Sequence, residues 1–338
     1  MKNLKIYFVE GNYSEQKILG KTAKDWVLDG FEGCDYEIVK GVDDVDFSHQ
    51  SLAILSLDMP LLTEKHVVRL LESAVKKGVG KIVIGDESDG FAIFVGRGRN
   101  TYFVEDQVFI KLGGAKNHNM VYNTLRKRII ARLIDDGVIV EGEEFHIDDT
   151  VIVESGAKLI SPTTLKGNTV IKSGAVVDNC IITDSVVESA ATVTLSHLTS
   201  SIVGENTTVG PFARLREANI LENCRIGDFV EVKNSTLCKG VKCAHLAYVG
   251  DATVGERTNV GCGSVFCNYD GKLKHPTSVG KDVFIGANVN LVAPLKIGDG
   301  TYIAAGTTVT KDTADNGFVI GRVRAENKDT KPSKPTKN

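Results

Sequence analysis

Three stretches of the chain carry side chains able to do chemistry. "GPFARLREANILENCRIGDFVEVKNSTL" (residues 210–237) holds Arg214, Arg216, Glu231 and Lys233, "HLAYVGD" holds His245 and Tyr248, and "CNYDGKLKHPTSVG" (267–280) is a polar insertion. Arginine and lysine on neighbouring segments suit a phosphate, because the guanidinium grips two oxygens in a plane and the ammonium acts as a point charge. A histidine beside such a clamp suits a general base, since its reference pKa lies near neutrality, and Glu231 is close enough in sequence to orient it. Each residue also has a plainer reading, as a solvated charge or a structural histidine, and spacing alone leaves both open.

The elements that must position these residues follow from periodicity. From residue 147 an apolar residue recurs every six: Ile147, Val153, Leu159, Leu165, Ile171 and Val177 form one series, and Val279, Ile285, Leu291, Ile297, Ile303 and Val309 another. Shorter runs lie between them, through Val203, Val209, Leu215 and Leu221 and through Val254, Val260 and Phe266. No helix or flat hairpin sheet needs a period of six. A β-solenoid does, each unit supplying a short strand and a turn so that apolar side chains stack from coil to coil. The repeating residues are then architecture, and chemistry is expected where the repeat is interrupted. "GVKCAHLAYVGD" (240–251) gives up an apolar step around His245, and 267–280 is too long for one repeat and should project as a loop.

The first 140 residues mix strand-like runs ("LKIYFVE", "SLAILSLD", "KIVIGD") with helical spacing. Val67, Leu70, Leu71 and Ala74 predict a helix capped by Thr63 and ended by Gly78, and "NTLRKRIIARLIDDG" predicts another stopped by Gly137. This order indicates an α/β domain with a mostly parallel sheet over 1–140, followed by the solenoid over 145–322 and a basic flexible tail over 323–338. A net charge of −3 over 338 residues gives no reason to expect a nucleic-acid partner. "MKNLKIYFVEGNYSEQ" reads as neither leader nor membrane span, so a cytoplasmic protein is expected. The seven scattered cysteines read as reduced structural thiols and imply no metal.

Residues 203–322 resemble the acetyltransferase domain of the bacterial bifunctional N-acetylglucosamine-1-phosphate uridyltransferase and glucosamine-1-phosphate acetyltransferase family. "GPFARLR", "GDFVEVKNSTL", "HLAYVGDATVGERTNVGCG", "CNYDG", "VFIGANVNLVAPLKIGDGTYIAAGTTVTKD" and the "GR" at 321–322 carry the likeness. The resemblance implies a left-handed parallel β-helix, a homotrimer with active sites between neighbouring helices, and acetyl-CoA-dependent acetylation of glucosamine-1-phosphate for UDP-N-acetylglucosamine and cell-wall synthesis. It makes His245 the general base, with Glu231 beside it. Arg216, Lys233, Tyr248, Asn259 and Lys274 would hold the sugar phosphate, and Asn268 and Tyr269 would lie near the reacting groups, Tyr269 on the cofactor side. Ala287, Ala305 and Arg322 would line the acetyl-CoA site, Ala287 departing from the Ser of many relatives. Lys242 receives no role.

Pieces of the family's nucleotidyltransferase domain are also visible in "QKILGKTAKDWVLDG", "ILSLDMPLLTEKHVVRLL" and "YNTLRKRIIARLIDDGVIV". Asp58 and Asn123 would fall at its two magnesium positions, Mg2+ being required only if that domain is active. The Gly-rich triphosphate loop L-x-x-G-x-G-T-R-M is replaced by "GNYSEQK", and the expectation is a shortened domain that has lost uridyl transfer. Three other readings stay open: acyl transfer to another phosphorylated or nucleotide-linked amino sugar, a fully bifunctional enzyme, and a non-catalytic relative that binds a sugar nucleotide.

Overall fold

The computed structural model describes residues 4–49, 51–84, 91–95, 100–104 and 107–325. Residues 326–338 of the expected tail and 85–86 of "KIVIGD" lie outside the described residues. The chain divides into two compact units, Met1–Val153 with Thr163–Thr169, and Glu154–Pro162 with Val170–Asn338.

In unit 1, strands β1 (Lys5–Val9), β4 (Tyr36–Val39), β5 (Ser51–Ser56), β6 (Lys81–Ile84), β7 (Phe91–Val95) and β8 (Thr101–Val104) form one sheet in the order β4-β1-β5-β7-β6-β8. β1 pairs in parallel with β4 and β5, and β6 with β8, whereas β7 runs antiparallel between β5 and β6. The sheet is thus mostly parallel. Alternation along β1 sends Ile6 and Phe8 into one core with Val27, Phe31, Leu55 and Val67, and Tyr7 and Val9 into another with Leu52 and Ile54.

Two short strands, β2 (Lys17–Ile18) and β3 (Lys21–Thr22), make a hairpin ahead of α1 (Ala23–Asp29). Helix α2 (Glu64–Lys76) starts after Thr63, which with His66 forms a capping box, and Gly78 follows it at φ +63. Helix α3 (Gly114–Asp135) begins nine residues before the predicted Asn123, because Val121 completes the buried stripe with Leu125, Ile129 and Leu133. No described helix is long and apolar enough to cross a membrane.

Unit 2 is the left-handed parallel β-helix that the repeat implied. Its register defines three faces. Arg214, Glu231, Tyr248 and Val265 follow one another down the first face, Thr236, Thr253 and Ser278 down the second, and Arg225, Lys242, Asn259, Phe284 and Tyr302 down the third. Inside lie Leu215, Ile220, Ile226, Val232, Leu237, Cys243, Val249, Val254, Val260 and Phe266, none more than 3% exposed.

These interior positions correct the spacing read from sequence. Each coil here takes one step of five and two of six, so Ile220 points inward and Leu221 is only partly buried. No apolar step is lost at "GVKCAHLAYVGD" either, since Cys243 and Val249 hold the interior on both sides of His245. Burial pushes the Cys243 thiol up to about 12 and that of Cys224 to about 11, as expected of structural cysteines.

Candidate functional site

A coil of 17 residues stacks each side chain on the one 17 positions earlier. On the first face Leu215, Val232 and Val249 point inward, so alternation turns Arg214 and Arg216, Glu231 and Lys233, and Tyr248 and Gly250 outward in adjacent rows. Arg216 and Lys233 are thereby direct neighbours. Gly250 occupies the outward position below them, and a Cβ there would lie 2.4 Å from the Tyr248 hydroxyl and 2.7 Å from Asn268 Nδ2. The missing side chain makes room for the ring tip and for the Asn268 amide.

The insertion does project as a loop, between the strands Val265–Cys267 and Thr277–Val279. Asp270 organises it by accepting the Lys272 and Leu273 N–H groups (2.8 and 2.7 Å) and contacting His275 Nε2 (2.7 Å). These hydrogen bonds, that of Leu273 foremost, hold its carboxyl well below the usual carboxylate range. Asn268, only 7% exposed, donates through Nδ2 to Asp251 and, at 3.4 Å, to the Tyr248 hydroxyl. Asp251 also accepts from Asn234 at 2.6 Å. Tyr269 is exposed and donates within the loop to the Gly271 carbonyl at 2.7 Å.

Lys274 comes from the same loop to Lys233. Its hydrogen bond and like charge, with the charge of Arg216 added, hold the Lys233 ammonium below its ordinary value, against the pull of Asp251. Three cations therefore crowd one corner of the first face, an arrangement that a dianion would relieve.

His245 ends the third-face strand Lys242–His245, at the opposite edge of the first face. Three residues, Tyr248 to Gly250, separate the two edges, or about 10 Å of strand. Tyr248 spans part of this gap, starting beside the His245 edge and reaching Asn268. In this chain Glu231 does not orient His245: its carboxylate pairs with Arg216. The carboxylate opposite His245 is that of Asp228, which shares its register and lies 3.9 Å from Nδ1. Both side chains are about half exposed (58% and 46%), so the pair steers the ring more than it charges it.

The residues expected to line the cofactor site stack on the His245 edge. Gly263 N–H donates to Leu246 O, Asn288 N–H to Cys262 O, Gly306 N–H to Ala287 O and Arg322 Nη1 to Ala305 O, all between 2.8 and 3.0 Å. His245, Ala287, Ala305 and Arg322 thus belong to one ladder. Asn259 does not join either group, for it lies on the third face in register with Lys242 and Phe284. Lys242 is exposed there.

Sequence reasoning missed Asp228, Gly250 and Asp251. A period of 17 would have found all three, because Asp228 precedes His245 by one coil, Gly250 follows Lys233 by one, and Asp251 falls between Asn234 and Asn268.

In unit 1 Asp58 is 6% exposed, and its carboxylate accepts the Tyr13 N–H at 3.0 Å and the Asn12 N–H. Gly11 packs so tightly on it that a Cβ would come within 2.0 Å of Oδ2. Burial pushes the carboxyl up in spite of those donors and of Lys111. Asn123 is exposed on α3. A carboxylate already capped by its own loop does not fit a magnesium ligand, and no group of three or more His, Cys, Asp or Glu side chains able to hold a metal forms among the described residues.

Residues 178–261 match the family model described as GlmU-like, C-terminal hexapeptide, and residues 276–311 match that of the bacterial transferase hexapeptide (six repeats). The bifunctional protein GlmU of Acholeplasma laidlawii is 53% identical over 193 residues, 56% of this chain and 42% of that protein. Those of Clostridium novyi (46% over 206 residues, 60% of this chain and 45% of theirs) and Exiguobacterium sp. (44% over 208, 61% and 46%) are similar. The chain spans less than half the length of these relatives.

Proposed function

We propose, from the kinship of the repeat region to the GlmU proteins, that this chain transfers acetyl from acetyl-CoA to the amine of glucosamine-1-phosphate, in the cytoplasm, for UDP-N-acetylglucosamine synthesis. The observation that carries the reading is the position of His245, where the edge of Ala287, Ala305 and Arg322 meets the face that leads through Tyr248 to Arg216, Lys233 and Lys274.

The sugar phosphate is held by the three cations, its ring over Tyr248 and Gly250. The cofactor lies along the edge, with Arg322 for its phosphates and Tyr269 beside it. An ammonium is no nucleophile, so His245 takes a proton from it, and Asp228 keeps the imidazole turned to the task. The freed amine attacks the thioester carbonyl. The tetrahedral adduct collapses to the amide, the C–S bond breaks, and the thiolate leaves as CoA and takes up a proton. No covalent enzyme intermediate is needed.

A homotrimer is part of the proposal. Leu195, Phe212, Phe229 and Leu246 succeed one another every 17 residues, all exposed and all at positive φ, with the Phe212 and Phe229 rings stacked at 5.3 Å. Phe229 and Leu246 directly follow Asp228 and His245. An apolar ladder of this kind favours cover by a second copy, which would bring Asn259 from another face to the same site. Unit 1 is read as a shortened nucleotidyltransferase-like domain without uridyl transfer, because Asp58 is capped by the loop that replaces the triphosphate cradle.

The test is release of free CoA thiol from acetyl-CoA with glucosamine-1-phosphate. His245→Ala should lower kcat about 100-fold or more while the protein remains folded. No turnover by the parent protein would sink the reading, and turnover with a different amino sugar phosphate alone would change the acceptor.

A further inference from the structure

Unit 1 contains a polar cavity of about 550 Å3 that acetyl transfer does not use. It lies between the β2–β3 hairpin, α3, the strand Phe145–Ile147 with the turn after it, and residues 166–168. The hairpin turn, Leu19 and Gly20, has φ of +48 and +86, and a Cβ on Gly20 would stand 2.9 Å from Asp148 Cβ. Glycine therefore keeps this wall thin as well as closing the turn.

The charges around the cavity are not balanced. Lys21 and Arg132 are spent on the buried Asp149, at 2.6 and 2.7 Å. Asp148 accepts the Gly167 N–H at 3.0 Å and faces His146 Nε2 at 4.0 Å. Lys17 and Lys166 are exposed at the cavity, and neither forms an ion pair among the described residues. His118 Nδ1 meets the Gln16 amide nitrogen at 3.2 Å, which makes Nδ1 the acceptor and leaves Nε2–H as a donor. His146 Nδ1 meets the Tyr122 hydroxyl at 2.7 Å, and burial together with the charge of Lys166 holds its pKa below the ordinary value.

We infer that this cavity binds a phosphorylated small molecule, with its phosphate between Lys17 and Lys166. His118 and His146 supply further donors, and an anion would offset the Lys166 charge that now disfavours imidazolium. Ile18, Leu19 and the Tyr122 ring offer an apolar wall for the organic part. The volume falls in the range of small-ligand sites. The inference stands independently of acetyl transfer, since it uses no residue of that site.

The chain carries its own reporter. Trp26, its single tryptophan, donates Nε1–H to the carbonyl of Ile18 in the cavity wall at 2.8 Å. The experiment is a titration of the full chain with inorganic pyrophosphate, followed by Trp26 fluorescence and by calorimetry, in a Lys233→Ala background that weakens the other phosphate clamp. One saturable site with a dissociation constant below about 1 mM is expected. Lys17→Ala and Lys166→Ala should each weaken it about tenfold, and the double variant should abolish it with unchanged circular dichroism. Three outcomes would overturn the proposal: no saturable signal up to about 10 mM, undiminished binding by the double variant, or succinate binding as tightly as pyrophosphate.

Discussion

Gly227→Ala tests whether the coil that carries His245 is packed as described. A Cβ at 227 would lie 2.0 Å from the carbonyl oxygen of Ala244, 2.7 Å from its carbon and 2.9 Å from its Cα. A carbon and a carbonyl oxygen tolerate about 3.3 Å, so the two coils must part locally by about 1.3 Å against a strand spacing of about 4.8 Å. Every obstructing atom is backbone of the next coil and cannot rotate away. The strain falls on the pairing of Asp228 with His245 and on the 2.8 Å bond from Leu246 N–H to Asp228 O.

Overpacking of this severity should cost about 3 kcal/mol. That corresponds to a melting midpoint lower by about 6–12 °C for a unit of this size. A displacement of about 1 Å at the base should also reduce kcat of the folded protein about 100-fold. Circular-dichroism melts and CoA-thiol release, measured well below the midpoint, read the two effects separately. Gly204→Ala is the control. Its Cβ would meet Leu221 C at 2.5 Å and Glu222 N at 2.7 Å, away from the His245 edge, so it should lose comparable stability and keep kcat within about threefold. A Gly227→Ala protein that melts with the parent and retains full kcat would refute the stacking on which the site is built.

Three further expectations follow from particular contacts. Arg322→Ala removes the side chain bonded to Ala305 O on the cofactor edge and should raise KM for acetyl-CoA about tenfold with little change in kcat; a fall in kcat alone would place Arg322 elsewhere in the reaction. Asp58 has its pKa raised by burial, so its contribution to folding is fully present below about pH 4 and is withdrawn as pH rises through the folded value. Asp58→Asn should therefore raise the urea midpoint at pH 7 and match the parent near pH 3, and equal midpoints at pH 7 would contradict the buried carboxylate. For Lys21, burial works against the charge, but hydrogen bonds to Asp149 and Asp29 outweigh it and raise the pKa. Its stabilisation is complete below the unfolded lysine value of about 10.4 and is lost as pH rises through the folded one. Lys21→Met should be less stable than the parent at pH 8, with the gap closing towards pH 11; a gap independent of pH would assign the loss to packing instead.

The nucleotidyltransferase likeness of the N-terminal half was legible only in fragments. "ILSLDMPLL" and Asp58 could be matched from sequence, but the state of that carboxylate could not. It depends on where residues 11–13 run, and backbone N–H groups carry no signature in side-chain identity. Helix α3 was likewise seen only over its strongly periodic part. Its first turns lack an apolar repeat, and Val121 is their one fully buried residue.

A period of six in apolar residues admits one architecture, so the β-helix, its outward-facing Arg216 and Lys233, and the loop at 267–280 could be read from the chain by itself. Short-range alternation decides which way each of these side chains points. Tertiary structure alone decided the coil length of 17, because a step of five looks like an irregularity until stacking shows that it recurs on every turn. That length sets every neighbour in the site: it pairs Asp228 rather than Glu231 with His245, places Gly250 where Tyr248 and Asn268 need space, and puts His245 and Arg322 on one edge. Contacts across coils are made by residues far apart in sequence, and only closing the helix brings them together.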